Sequence, residues 1–139
     1  MWDRVLAAIA AVCAADDVLI SVYGGSMRLA GTGDHRVPLL EFQLIGDGET
    51  ELWAPCTIQF DQFTKDDTAI DGMAQLIASE QRLRALYHTD LPVDINGVGM
   101  FCEYAGGDVL ASPSRDGYYG RAIRFRLTPL RRQYAASTP

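Results

Sequence analysis

The stretch YYGRAIRFRLTPLRR, residues 118–132, decides how this chain folds. Ile123, Phe125 and Leu127 alternate with Arg124 and Arg126, the period-two pattern of a strand with one buried face and one solvated face. The stretch is also basic, because residues 115–132 hold six of the twelve Lys and Arg residues and one acidic residue. Since the whole chain has a net charge of -6, the remaining residues are strongly acidic and the charge is polarised along the sequence.

Length and composition predict a single globular domain. The chain has 139 residues, with 48% hydrophobic and 22% charged residues, as in ordinary soluble domains. We expect residues 1–132 to form this domain and residues 133–139 to be a frayed tail. Cys13, Cys56 and Cys102 are odd in number and lie among apolar residues, which favours reduced, buried thiols. No apolar run is long enough for a membrane span.

Apolar spacing predicts the first elements. Apolar residues at helical spacing between Trp2 and Ala15 indicate an amphipathic helix. The β-branched run VLISVY, residues 18–23, predicts a buried strand. The Gly-rich segment GGSMRLAGTGDHR, residues 24–36, predicts a loop.

The middle of the chain predicts a hairpin followed by a second helix. Leu40, Phe42 and Leu44 alternate with polar residues, and the return strand ELWAPCTIQFDQF, residues 51–63, continues the pattern. Thr64, with Asp67 three residues later, resembles a capping box for a helix that ends near Tyr87. Two further extended stretches, VGMFCEYA at residues 98–105 and the basic strand, close the domain.

This order of elements predicts an α+β fold. We expect a mostly antiparallel sheet of about four to five strands, with two helices packed on one face.

Catalytic and metal-binding signatures are not recognisable in the sequence. His35 and His88 are the only histidines, and no His, Cys or Asp group has ligand spacing. Residues 24–36 lack the lysine and the spacing of a phosphate-binding loop. Asp66, Asp67 and Asp71 fit the positive end of a helix dipole. We therefore expect no enzyme activity, cofactor or metal.

The basic strand has two interpretations. Arg124 and Arg126 either pair with acidic residues on neighbouring strands, or they serve assembly. A subunit with a basic strand and an acidic remainder can bind its own copy head-to-tail, and such heterologous contacts close into rings.

The chain as a whole resembles a known family. Between about Asp3 and Arg131, the phrases RVPLLEFQL, TIQFDQFTKDD and EYAGGDVLASPSRDGYYGRAIRFRL follow an N-terminal amphipathic helix and a Gly-rich loop. This succession resembles the tail terminator, or tail completion, proteins of long-tailed bacteriophages and phage-like gene transfer agents. The segment TPLRRQYAASTP is a departure, because it is longer and more basic than such proteins need.

The resemblance implies a virion structural protein rather than an enzyme. Such a protein forms a homohexameric ring at the head-proximal end of the tail tube, stops tube polymerisation and offers a surface for head attachment. Its partners would be its own copies, the tail tube protein and a head-completion or connector protein. DNA would pass through the ring without sequence-specific binding, no membrane is involved, and assembly would occur in the host cytoplasm.

Two groups of candidate contact residues follow. For the subunit interface we expect Arg121, Arg124, Arg126, Arg131, Trp53 and Asp61. For the contact with tube or connector we expect Ser26, Met27, Arg28, Leu29, His35 and Arg36, within the Gly-rich segment.

Alternative functions remain open at this point. A head-to-tail connector or minor tail protein would share the size, acidity and lack of chemistry. From other classes, a small binding domain or an enzyme with an unrecognised carboxylate site also fits the sequence.

Overall fold

The computed structural model describes residues 2–31, 36–45, 55–88, 93–95, 97–111 and 117–130. Three helices and six strands lie in these ranges. The helices are α1 (Trp2–Ala15), α2 (Asp17–Tyr23) and α3 (Gly72–Tyr87), and the strands are β1 (Met27–Leu29), β2 (Leu39–Ile45), β3 (Cys56–Lys65), β4 (Val93–Ile95), β5 (Val98–Ala111) and β6 (Tyr118–Pro129).

All six strands form one sheet in the order β1-β2-β3-β6-β5-β4. β1 pairs with β2 in parallel, whereas every other pair is antiparallel. The sheet curls into a half-barrel. The fold is α+β, but the prediction of four to five strands with two helices on one face is wrong, because the described chain has a mixed six-stranded sheet and three helices.

The first helix is confirmed, but the predicted strand over residues 18–23 is a helix. Its N-cap is Asp16, whose Oδ1 accepts hydrogen bonds from the backbone N–H groups of Val18 and Leu19 at 3.1 Å. The other carboxylate oxygen of Asp16 binds Nε of Arg82 at 2.6 Å. This cap and the contact with α3 outweigh the β-propensity of the sequence.

The predicted loop over residues 24–36 contains strand β1. Met27 and Arg28 pair in register with Leu40 and Glu41 of β2. Three residues are too few to show a period-two pattern, so the strand exists only because the edge of β2 pairs with it.

The second predicted helix begins later than the capping-box signal suggested. β3 continues to Lys65, and Asp71 is the N-cap of α3, accepting from the backbone N–H groups of Met73 and Ala74. Thr64 instead donates its hydroxyl hydrogen to the carbonyl of Gly72 at 2.6 Å. The predicted end at Tyr87 is confirmed.

The core lies between the helices and one face of the sheet. Buried side chains from all three helices meet the alternate residues of the strands there, including Cys56, Ile58 and Phe60 as predicted. The Phe60 ring lies 5.7 Å from the Tyr87 ring and 5.9 Å from the Phe125 ring, measured between centroids. This aromatic group joins β3, β6 and α3 at the centre of the molecule.

The closing hairpin is confirmed and is longer than predicted. β5 and β6 pair from Met100 opposite Pro129 to Ala111 opposite Gly120. The predicted frayed tail at residues 133–139 lies outside the described residues.

Candidate interaction surface

One face of the sheet carries no described helix, and we call it the helix-free face. It is formed by the side chains that alternate with the core positions of each strand. Its described charged and amide residues are Arg28, Glu41, Gln43, Gln59, Asp61, Lys65, Asp94, Glu103, Asp108, Arg124 and Arg126. The predicted common face of Arg124 and Arg126 is confirmed, and Asp61 shares it.

Arg124 is held by two neighbouring strands. Its Nη2 lies 2.7 Å from Oδ2 of Asp108 on β5, and its Nε donates to Oε1 of Gln59 on β3 at 2.9 Å. Gln59 in turn donates to Oδ1 of Asp61 at 2.8 Å. For Arg124, the structure therefore has the pairing with neighbouring strands that was one of the two sequence interpretations.

A β-bulge brings Asp108 to Arg124. The β5–β6 register shifts between Tyr104 and Gly107. In that interval β5 has one residue more than the paired part of β6. Side chains after a bulge change face. Asp108 therefore reaches the helix-free face, whereas strict alternation from Tyr104 would place it on the core face. Sequence reasoning missed Asp108 because nothing in AGGDVL locates the bulge.

Two carboxylates face each other near the other edge of the sheet. Glu41 on β2 lies opposite Asp61 on β3, and Glu41 also binds Arg28 at 3.4 Å. Burial raises the pKa of Asp61 above its ordinary value, and the charge of Glu41 raises it further, although the hydrogen bond from Gln59 and the charge of Arg124 oppose this shift. Part of the face therefore holds unfavourable negative charge.

Arg126 differs from Arg124 in having no ion pair or hydrogen bond from its side chain within the described residues. It is exposed, and it lies in register between Thr57 on β3 and Glu103 on β5. An exposed guanidinium that binds none of the described side chains can bind a carboxylate of another molecule.

Arg121 lies on the opposite face from Arg124 and Arg126. Its Nε binds Glu80 of α3, and its Nη2 lies 3.3 Å from the Tyr104 hydroxyl. The guanidinium of Arg84 stacks over the Tyr104 ring at 4.0 Å from the centroid. The sequence already indicated this position. Arg121 lies two residues before the buried Ile123, and alternate residues of a strand share a face. Arg121 is thus separated by the sheet from Asp61, Arg124 and Arg126, the other described members of the predicted interface group.

Three of the candidates for tube or connector contact, Met27, Arg28 and Leu29, form β1, and Ser26 precedes it directly. Ser26 accepts a hydrogen bond from the Leu40 N–H at 2.9 Å, and Met27 packs against the core. Arg28 pairs with Glu41, and Leu29 is exposed. Arg36 is also exposed. The other sequence candidates, His35, Trp53 and Arg131, lie outside the described residues.

The aspartates at the start of α3 have structural roles. Asp66 accepts from the Gly72 N–H at 2.8 Å and from the Tyr119 hydroxyl at 3.0 Å, and Asp71 caps the helix. Asp67 accepts from the Thr68 N–H at 2.7 Å. All three remain exposed. They form an acidic surface on the helix-bearing side of the molecule.

The three cysteines are free and buried, as predicted. Burial raises the pKa of the Cys13 thiol to about 12 and that of Cys102 to about 11. Both are therefore protonated and unreactive at neutral pH. Within the described ranges, no group of three or more His, Cys, Asp or Glu side chains is arranged to hold a metal ion.

No single described helix is long and apolar enough to span a membrane. α1 and α2 reach the required length and composition only as a pair, and they are bent by 80° where they meet. Their buried apolar residues, such as Ile9 and Leu19, belong to the core, whereas Val12, Val18 and Ile20 are exposed. In comparisons with known proteins, no protein-family model matches the chain, and no curated protein matches it.

Proposed function

We propose that this protein is a tail terminator subunit, which forms a ring at the head-proximal end of a phage or phage-like tail tube. The ring ends tube polymerisation and provides the surface for head attachment. The protein acts in the virion, after assembly in the host cytoplasm, as a structural component rather than an enzyme.

The observation that carries this proposal is the position of Arg126, which lies on the opposite side of the sheet from a group of exposed aspartates. Arg126 is exposed on the helix-free face without a partner in the described part of its subunit. Asp67 and Asp71 are exposed at the start of α3, on the helix-bearing side. A cation on one face and carboxylates on the other favour a head-to-tail contact between copies, and such contacts close into a ring when the rotation permits.

The positions of the family-like phrases support the same function. RVPLLEFQL contributes β2, TIQFDQFTKDD contributes β3 and its junction with α3, and GRAIRFRL contributes β6. These three strands are neighbours in the sheet. The resemblance therefore covers one continuous framework rather than scattered segments.

The partners follow from the proposed position in the particle. The ring meets the tail tube protein on one side and a head-completion or connector protein on the other, and β1 with its flanking residues is the proposed contact. DNA passes through the ring in transit. A net charge of -6 suits a passage that should not retain phosphate.

Electron microscopy of particles made after deletion of this gene tests the function. A terminator predicts filled heads beside separate tails of irregular excess length, because the tube lacks its stop signal. A plasmid copy of the wild-type gene is the control and should restore normal particles. Unattached tails of normal length would instead identify a connector, and intact infectious particles would exclude an assembly role.

A further inference from the structure

The outward side of α3 is largely apolar. Its exposed residues are Met73, Ala74, Ile77, Gln81, Arg84 and Ala85. Among them only Arg84 is charged, although a helix that packs one side on a core normally has charged and polar residues on the other. Ile77 is 50% exposed, more than any other large apolar residue of the described helices. α3 therefore has one apolar side in the core and a second that another molecule can cover.

The exposed residues have the spacing of a helix-pair seam. Ala74, Ile77 and Gln81 follow one another at intervals of three and four residues, as in the seam of a coiled coil. Ala78 and Ala85 flank this seam, and short side chains let two helix axes approach to about 8 Å. The surface therefore fits another helix.

The charges at the two ends of α3 indicate which helix it fits. Asp71 is exposed at the start, and its capping bonds use only Oδ1, so Oδ2 can accept from a second molecule. Arg84 lies in the last turn with 45% of its side chain exposed, and its ion pair with Glu80 is long, at 3.9 Å. The midpoint between positions 71 and 84 falls at Ile77 and Ala78. A twofold axis at that midpoint places Asp71 of each copy opposite Arg84 of the other, so the surface is complementary to itself.

We propose that two copies of this chain pair through α3 in antiparallel orientation, with Ile77 at the twofold axis and with Asp71 of each copy beside Arg84 of the other. The contact is isologous, whereas the proposed ring contact is heterologous. A single helix of 16 residues covers less than the about 800 Å² per partner of a standard interface. We therefore expect a weak, reversible dimer.

The dimer does not depend on the ring, so it can be tested on purified protein. Both contacts use Asp71, however. If the ring forms as proposed, a subunit paired through α3 becomes available to it only after the dimer dissociates. The two contacts use different cations, Arg84 in the dimer and Arg126 in the ring, and variants of these residues separate them.

Cysteine variants of the full-length protein test the orientation. Ile77→Cys places a thiol at the twofold axis, so oxidation by air should give a disulfide-linked dimer. Ala85→Cys is the matched control on the same side of α3. An antiparallel pair keeps the two copies of this residue about 22 Å apart, at a rise of about 1.5 Å per residue, so this variant should remain monomeric. The native cysteines are buried, and the wild type should give no linked dimer.

The pattern of linked products decides between the arrangements. A linked dimer from Ile77→Cys alone supports the proposal. A linked dimer from Ala85→Cys, with or without one from Ile77→Cys, overturns it in favour of a parallel or non-specific contact. Absence of a linked dimer from both variants overturns pairing through α3.

Sedimentation equilibrium at up to about 1 mM protein tests the charge pairing independently. The wild type should dimerise reversibly. Arg84→Glu and Asp71→Lys should each stay monomeric, because like charges then meet on both sides of the axis. An equimolar mixture of these two variants should dimerise again, because opposite charges face each other at both positions in the mixed pair. Circular dichroism checks that each variant is folded.

Three results of sedimentation equilibrium would overturn the proposal. The first is a wild-type protein that stays monomeric at this concentration. The second is a mixture that is no more dimeric than its separate components. The third is loss of the dimer in Arg126→Glu, which would place the contact on the helix-free face. Arg126→Glu should otherwise dimerise like the wild type, whether or not the proposed function holds.

Discussion

Arg124 and Arg126 project from the same face of β6, but among the described residues only Arg124 is bound by other side chains. Arg124 has Asp108 at 2.7 Å and Gln59 at 2.9 Å, whereas Arg126 is exposed and has no ion pair within the described residues. Two arginines of the same strand face therefore differ in their contacts, and the proposed subunit contact uses Arg126.

Arg126→Glu should abolish ring formation at tube ends while it changes the free energy of unfolding by less than about 0.5 kcal/mol, as for an exposed position without partners. Negative-stain microscopy of tails from a complemented deletion strain measures the first effect, and urea unfolding measures the second. Normal rings with the Arg126→Glu protein would show that this residue is not in the subunit contact.

Arg124→Glu should behave differently from Arg126→Glu. It places a carboxylate beside Asp108 and removes the bond to Gln59, and we expect the unfolding free energy to fall by about 1 kcal/mol, because the pair is partly exposed. Combining it with Asp108→Arg restores opposite charges and should recover most of that loss. If the charge-swapped protein is no more stable than Arg124→Glu alone, the Arg124–Asp108 pair does not stabilise the sheet.

Asp16 joins α1, α2 and α3 through one carboxylate. Asp16→Ala should lower the unfolding free energy by about 2–4 kcal/mol, because it removes an N-cap and leaves Arg82 without its buried partner. Asp16→Asn keeps the cap oxygen and should lose less, since Asn caps as well as Asp. Urea unfolding compares the two variants. Equal losses would mean that the cap contributes nothing beyond the ion pair.

A buried chain of hydrogen bonds links the helices to the sheet. The Ser79 hydroxyl donates to Oε1 of Gln62 at 2.7 Å, so the Tyr23 hydroxyl, 2.6 Å away, must donate to Ser79. Ser79→Ala leaves both neighbours unsatisfied in the interior and should lower the unfolding free energy by about 2 kcal/mol. The exposed Ser21→Ala is the matched control. A loss as small as that of Ser21→Ala would show that water replaces the missing hydroxyl.

Local burial patterns explain which elements were predictable. The strands around Phe60 and Phe125 were predictable because one face of each strand enters the core and the period-two pattern records it. Helix α2 was not, because its run VLISVY favours a strand locally and becomes helical through the Asp16 cap and Arg82, a residue 66 positions away. The predicted capping box at Thr64 was wrong because β3 continues to Lys65, and Asp71 caps the helix instead.

The candidate surface was likewise predictable only in part. Alternation along β6 was sufficient to place Arg124 and Arg126 on one face. It was equally sufficient to place Arg121 on the other face, although the charge of the segment suggested a single basic group. The partner of Arg124 depends on the register shift between Tyr104 and Gly107, and strand alternation cannot reveal a shift of that kind.

The raised pKa of Asp61 predicts how stability depends on pH. Burial is the main cause, and the opposing Glu41 adds to it. Because the folded protein holds this proton more tightly than the unfolded chain, the contribution of Asp61 to stability is present below the unfolded pKa of 3.8 and is lost as pH rises through the folded pKa.

The Asp61→Asn protein should therefore have the same unfolding free energy as the wild type at acidic pH. At pH 7 its unfolding free energy should be higher than that of the wild type. We expect a gain of less than about 1 kcal/mol, because half-exposed charges are screened by solvent. Urea unfolding across the acidic range to neutral pH measures the difference. Glu41→Gln should reduce the same pH dependence, since it removes the charge opposite Asp61. A less stable Asp61→Asn protein at pH 7 would show that the attraction of Arg124 for the carboxylate outweighs the cost of burying it.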